Sequence, residues 1–213
     1  MKNFDWQAII FDFDGVVVES GKIKTQAFAE LYRPHGADIV EKVVQFHNQN
    51  GGMSRYHKFR HFQQHYLNKP PLSEAEEKKL DLLFSELVVE AVIAAEPVPG
   101  AIELIRHQAE KIPLFVASGT PDSELKIIVE RRGLTPYFKA VSGAPALKKT
   151  IIAEILSAYG LKPESVLMIG DAIADLEGAQ ANNTAFLGRV YPGDPNPFPA
   201  HIEIVSDLRG LIT

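Results

Sequence analysis

Two carboxylates stand two residues apart in Ile9-Ile10-Phe11-Asp12-Phe13-Asp14-Gly15-Val16-Val17, at the end of a short apolar run. That spacing can set a nucleophile beside a proton carrier. An aspartate can accept a group covalently, and its neighbour can give a proton to a departing oxygen and later take one from water. Alone, Asp-x-Asp before a glycine reads equally well as a polar strand end or an Asx turn.

Three further sites share its setting. Ser118-Gly119-Thr120 follows the apolar run 113–117, and small residues with hydroxyl and N–H groups ahead of a helix can cradle a phosphate. Lys148 follows Gly143-Ala144-Pro145-Ala146-Leu147 and precedes the amphipathic stretch 151–159, with Lys149 beside it. Gly170-Asp171 closes the apolar run 165–169, and Asp175 comes four residues later, a spacing that would place both aspartates on one side of a helix start. Each feature has an ordinary explanation, a capped helix or a solvated lysine. Chance does not readily supply all four in order, each after a strand-like run.

The elements that must position them follow from the pattern of apolar residues. Residues 8–11 are too few for a helix and favour a buried strand. Runs at 113–117, 139–142, 165–169, 184–187 and 202–205 read likewise. From residue 97 strand and helix alternate, which predicts an α/β fold with a Rossmann-like, doubly wound, mostly parallel sheet. Ligands of such sheets lie beyond the carboxyl ends of the strands, where Asp12 and Asp171 fall. Residues 18–96 interrupt this order with helical stretches at 25–32, 39–48, 54–66 and 73–95. Ser73 and Glu76 make a capping box, and Pro97-Val98-Pro99-Gly100 punctuates the far end. The expected organisation is a core of residues 1–17 and 97–213 and a small all-α insert of residues 18–96. Within the insert, Gly51-Gly52 breaks the helical pattern ahead of Arg55 and Lys58. The plain reading is a turn with both cations on a solvated face; the functional one gives Arg55, a fork suited to carboxylate or phosphate, a part in substrate specificity. The histidines at 35, 47, 57, 61 and 65 show no zinc-ligand spacing.

Composition bounds the class. The chain has 213 residues, is 46% hydrophobic and 23% charged, carries a net charge of −5 and contains no cysteine. A substantial core is affordable at that length. Without a basic run, nucleic acid is not an expected partner; without cysteine, thiol chemistry and thiolate metal sites are excluded. No apolar stretch reaches spanning length, and Met1 to Trp6 shows no signal-peptide pattern, so the expectation is a cytoplasmic protein without a membrane partner, monomer or homodimer. The loop 191–199, rich in proline, is expected only to connect.

With these four motifs the chain resembles the haloacid dehalogenase superfamily, in its branch with an α-helical cap, which includes enzymes like phosphoglycolate phosphatase and β-phosphoglucomutase. The motifs are Asp12-Phe13-Asp14-Gly15, Ser118-Gly119-Thr120, Lys148 and Gly170-Asp171 through Asp175. The resemblance implies that Asp12 is the nucleophile, becoming an aspartyl phosphate, and Asp14 the general acid and base. Ser118, Gly119 and Lys148 would hold the phosphoryl oxygens, and residues 18–96 would be the cap. Each like-charge pair in such a carboxylate cluster costs on the order of 4 kcal/mol at ~4 Å and an effective dielectric near 20. Mg2+ held by Asp12, Asp171 and the backbone carbonyl of Asp14 would offset this, with Asp175 supporting from behind. Asp14 sets the chain apart from the halide-displacing members, which lack it. Lys24 departs from the pattern, because many capped phosphatases and the mutases carry histidine there; its ammonium would contact the substrate's anion instead. The implied activity is hydrolysis of a small phosphorylated metabolite. Alternatives are a sugar-phosphate mutase, a phospho-ligand-binding regulator without turnover, and a carbon–phosphorus hydrolase using Lys58 or Lys24 as a Schiff base. Phosphoglycolate, a sugar phosphate, a nucleotide and an acid-sugar phosphate all stay open as substrates.

Overall fold

The computed structural model describes residues 6–212; residues 1–5, on which the reading of the N-terminus rests, lie outside the described residues. Short apolar runs form six strands: β1 Ala8–Phe11, β2 Leu114–Pro121, β3 Ala140–Ala144, β4 Val166–Gly170, β5 Ala185–Arg189 and β6 Ile204–Val205. They make one sheet in the order β3-β2-β1-β4-β5-β6, every neighbouring pair parallel. β1 and β4 are buried throughout, because parallel strands covered by helices on both faces have no solvent side to accommodate polar residues. Alternate residues serve opposite faces. Ile9 and Phe11 join one apolar cluster with Leu114, Val116 and Ile169, while Ala8 and Ile10 join another with Phe115, Ala117 and Met168.

The strand order reverses between β1 and β4, with β2 and β3 to one side and β5 and β6 to the other. Such a reversal splays the connections apart and opens a crevice at the carboxyl ends. Asp12 follows β1 and Asp171 follows β4. The doubly wound fold read from the sequence is therefore present.

The stretch 18–96 carries four α-helices: α1 Gly21–Tyr32, α2 Ala37–Gln49, α3 Arg55–His61 and α4 Glu74–Ala94. α5 Ala101–Ala109, α6 Asp122–Arg131, α7 Lys148–Tyr159 and α8 Ile173–Ala181 cover the sheet. α4 opens on the expected capping box, Ser73 Oγ accepting from the Glu76 N–H at 3.3 Å and Glu76 accepting from the Ser73 N–H at 2.9 Å. The stretch expected as one helix over 54–66 divides: α3 gives way to a π-helical turn, Phe62–Tyr66, in which the Leu67 N–H reaches Phe62 O and Phe62 stacks on Tyr66 at 5.5 Å. Phe28, Phe59, Phe62 and Phe84 form the heart of the insert, with Phe28 and Phe84 centroids 4.4 Å apart.

The chain leaves the core and returns to it side by side. Val18 bridges Pro97, the Glu19 N–H donates to Glu96 O at 2.9 Å, and the Val98 N–H donates to Val17 O at 3.1 Å. Both crossings thus start from one fixed point beneath Asp14. The 191–199 loop connects as expected and seats Phe198 on Phe186 at 5.3 Å. No helix among the described residues is long and apolar enough to cross a membrane.

Candidate active site

Asp12 leaves β1 still bound to the sheet, its N–H donating to Ile169 O at 2.9 Å. Gly15 then turns the chain with φ +75°, and a Cβ there would lie 1.9 Å from Asp171 Oδ2. Only glycine fits both the left-handed backbone and that approach, so the Asp12–Gly15 turn and Asp171 close on each other. One oxygen each from Asp12, Asp171 and Asp175 lie within 4.8 Å of one another. Asp171 precedes α8 rather than sharing its first turn with Asp175, because the helix begins at Ile173. Asp175 reaches back to accept from the Ala172 N–H at 3.1 Å.

Lys148 is the first residue of α7 and is buried, whereas Lys149 is exposed. Its ammonium lies 2.8 Å from Asp12 Oδ2 and also pairs with Asp175. One cation for three carboxylates leaves the cluster short of positive charge. Burial, opposed by Lys148 and reinforced by Asp175 and Asp14, raises the Asp12 carboxyl to about 7. Burial and Asp12 lift Asp171 well above the usual range. The Lys148 ammonium, despite its burial, is held protonated by Asp12 and Asp175. An all-oxygen site with surplus negative charge fits a hard divalent cation.

Asp14 behaves differently. Ser20 donates to its Oδ1 at 2.6 Å and Thr120 to its Oδ2 at 2.8 Å, with Lys24 Nζ on the same oxygen. Burial alone would raise this carboxyl, but Lys24 and these hydroxyls prevail and hold it at about 2. Asp12 tends to bind a proton in the metal-free site while Asp14 is ionised: two neighbouring aspartates driven apart by their surroundings. Lys24 also donates to Thr120 Oγ1 at 2.7 Å.

Ser118 is buried at the end of the regular part of β2, accepting from the Thr120 N–H at 3.2 Å. The strand pairing shifts register between Ala117 and Pro121, which frees the Ser-Gly-Thr turn from the ladder. A Cβ on Gly119 would come 2.6 Å from Gly52 O. The Gly51-Gly52 turn of the insert therefore rests directly on the core.

Beneath that turn is a cavity of about 100 Å³, lined by Asp12, Asp14, Asp171 and Gly119 from the core and by Lys24, Arg55, Lys58, His47, Phe28 and Phe84 among others from the insert. The solvated face expected for Arg55 and Lys58 is not found. They are 5% and 2% exposed, because the Gly-Gly turn folds α3 inward over the crevice. Arg55 grips Glu124 of α6 through both terminal nitrogens and also bonds Asp81 and Ser85 of α4. Its fork thus ties insert to core. Sequence reasoning named Thr120 within the Ser-Gly-Thr turn without its bond to Asp14, and it missed Ser20 and His47 as neighbours of the site; those two left no signal, since both arrive through the folding of the insert.

Arg189 adds a support from β5, pairing with Glu19 and donating to Gly15 O at 3.2 Å. It braces the turn carrying Asp14 from below.

Comparison with known proteins bears on this arrangement. The haloacid dehalogenase-like hydrolase family profile matches residues 6–183. A phosphoglycolate phosphatase of Synechococcus elongatus is 25% identical over 179 residues, covering 82% of this chain and 79% of that protein. Among solved structures, β-phosphoglucomutase from Clostridium difficile superposes with a TM-score of 0.77 at 19% identity, over 97% of this chain and 93% of that one. CbbY from Rhodobacter sphaeroides in complex with xylulose-1,5-bisphosphate gives 0.73 at 16% identity, over 97% and 96%. At such identities these structures speak for the fold.

Proposed function

We propose that this chain, which belongs to the haloacid dehalogenase-like hydrolase family, is a magnesium-dependent phosphatase that cleaves a small phosphomonoester through an aspartyl phosphate on Asp12. The observation that carries the reading is the placement of Asp12. It is buried at the sheet's switch point, bound to Lys148 and open to the cavity that Asp14 also lines.

Asp12 attacks phosphorus, and the bond to the ester oxygen breaks as the bond to the carboxylate forms. Asp14 supplies the proton that the departing oxygen needs, then takes one from the water that attacks the aspartyl phosphate, so it ends protonated as it began. Lys24 controls that cycle. While Lys24 faces Asp14 alone the carboxyl stays ionised; an arriving phosphate dianion shares the lysine's charge and lets Asp14 hold a proton. Lys148 and the Ser118-Gly119 turn would steady the equatorial phosphoryl oxygens, where charge builds in transfer. The carboxylates of Asp12 and Asp171 and the Asp14 carbonyl would hold magnesium, which supplies charge neutralisation and in-line alignment of the phosphoryl group. Asp175, with both oxygens committed to Lys148 and the Ala172 N–H, is left to orient the lysine. The insert acts as a cap, excluding water and shaping the space for the substrate.

The test is release of inorganic phosphate from a panel of small phosphorylated metabolites, with magnesium and with excess chelator. Release that needs magnesium is expected. A sugar phosphate isomerised without free phosphate would instead point to a mutase, a reading that the lysine at position 24 disfavours. Silence on both counts would favour a binding role.

A further inference from the structure

The cations around the cavity have unequal partners. Lys24 faces Asp14, Lys148 faces Asp12 and Asp175, and Arg55 faces Glu124 and Asp81. Lys58 of α3 lines the same cavity and is almost wholly buried, yet among the described residues no carboxylate pairs with it. Its close neighbours are the Nδ1 of His47 at 2.9 Å and the ring face of Phe28 at 5.6 Å from Nζ to centroid. Burial and the nearby lysines push the His47 imidazole down to about 2, so it is neutral and brings no countercharge. Asp171 and Asp14 act on the ammonium only from beyond ion-pair distance, and a buried ammonium with no countercharge in contact is costly. The arrangement is balanced when an anion enters beside it.

We infer that Lys58 receives a second anionic group of the substrate, a carboxylate or phosphate carried a few atoms from the phosphate that reacts at Asp12. The inference rests on the phosphatase reading and names the substrate class for that site. His47 acts as the positioning residue: packed on Phe28 at 4.8 Å, it accepts from Lys58 and aims the ammonium without neutralising it. Burial, with Lys24 next, draws the Lys58 ammonium down to about 7, and an anion bound there would stabilise the charged form. Size agrees. A cavity of about 100 Å³ holds several waters, which suits a short chain with two anionic ends better than a nucleotide. The carboxylates Asp12, Asp14 and Asp171 line the cavity from the core and Lys58 lines it from the insert, so the reacting phosphate goes to the core side and the second anion to the insert side. Arg55, expected from the sequence to hold that anion, already has its fork on Glu124, Asp81 and Ser85.

The experiment compares kcat/KM, with magnesium, for three phosphate esters built on two carbons: 2-phosphoglycolate and ethanediol bisphosphate, charged at the far end, and 2-hydroxyethyl phosphate, whose far end is neutral. In the wild-type chain at least one charged probe should exceed the neutral one by about tenfold or more, the expected weight of a desolvated charge pair. Lys58→Met should collapse that ratio by a similar factor, chiefly through KM, and Lys58→Arg should restore part of it. Which charged probe gains identifies the anion. Thermal melts check that the variants fold, and if Lys58→Met does not fold, the wild-type ratio decides. Equal kcat/KM for charged and neutral probes, or an unchanged ratio in a folded Lys58→Met, would overturn the inference and leave the phosphatase reading standing. No magnesium-dependent release from these probes or from the wider panel would overturn both.

Discussion

Asp12→Asn is expected to lower turnover by about 10⁴-fold or more, because the variant loses the oxygen that the proposed mechanism makes the nucleophile. The fold should survive. Asn is the shape of the protonated aspartate, and burial already raises this carboxyl from 3.8 to about 7 in the folded chain. A group whose folded pKa is raised contributes stability that is complete below its unfolded value and is lost as pH rises through the folded one. Metal-free wild-type protein should therefore lose stability between about pH 4 and 7 on account of Asp12, and the variant should not lose that share. Melting temperatures in chelator should show the variant gaining on the wild type as pH rises toward 7 and beyond. Magnesium should narrow the gap by stabilising the wild type. Wild-type turnover in the variant would refute the assignment of the nucleophile, and a gap that shrinks with rising pH would refute the electrostatic account.

Lys148→Met has the second largest expected effect, and it acts on both stability and rate. Lys148 is the cation that Asp12 and Asp175 share in the interior. Removing one partner from a buried ionic group costs about 3–5 kcal/mol, softened here to the extent that the carboxylates take up protons. Urea denaturation near pH 8 should show the loss, and at pH 5 it should be smaller, since Asp12, raised to about 7, is then mostly neutral. With saturating magnesium, the variant should still turn over about 10²–10³-fold more slowly, the usual worth of one donor to transition-state charge. A variant with wild-type stability and rate would show that Lys148 is incidental. Because Lys149 is exposed, Lys149→Met should change neither.

Much of this was legible in the sequence, and for identifiable reasons. Strand runs such as Ile9-Ile10-Phe11 and Val166-Leu167-Met168-Ile169 are buried on both faces, so their composition is almost wholly apolar and the glycines after them mark their ends. The Ser73–Glu76 capping box is a local device, visible from four residues. Asp12 and Asp171 converge because each follows one of the two strands at the switch point, and Lys148 reaches them from the start of the helix after the edge strand β3. Choosing Lys148 over Lys149 by sequence rested on its context; the structure puts the first in the ion pair and the second in solvent.

What the sequence did not disclose depends on how the insert meets the core. Arg55 and Lys58 look like a charged surface stripe in one dimension. The Gly51-Gly52 turn folds them inward, and Glu124, lying on a distant core helix, takes the guanidinium. Nor could spacing show that Ser20, Lys24 and Thr120 all converge on Asp14, since they come from the insert's entry and from a separate strand. The division of phe-rich packing by a π-helical turn at Phe62–Tyr66 also left no pattern, because α and π turns place apolar residues at similar intervals.

The central claim is that the phosphoryl group passes through Asp12. The direct measurement is mass spectrometry of the wild-type chain, acid-quenched milliseconds after mixing with magnesium and the best substrate of the panel. The account predicts one added phosphoryl group on the peptide that contains Asp12, absent in Asp12→Asn and in chelator. Rapid phosphate release with that peptide unmodified at every quench time, and with Asp12→Asn equally active, would contradict it.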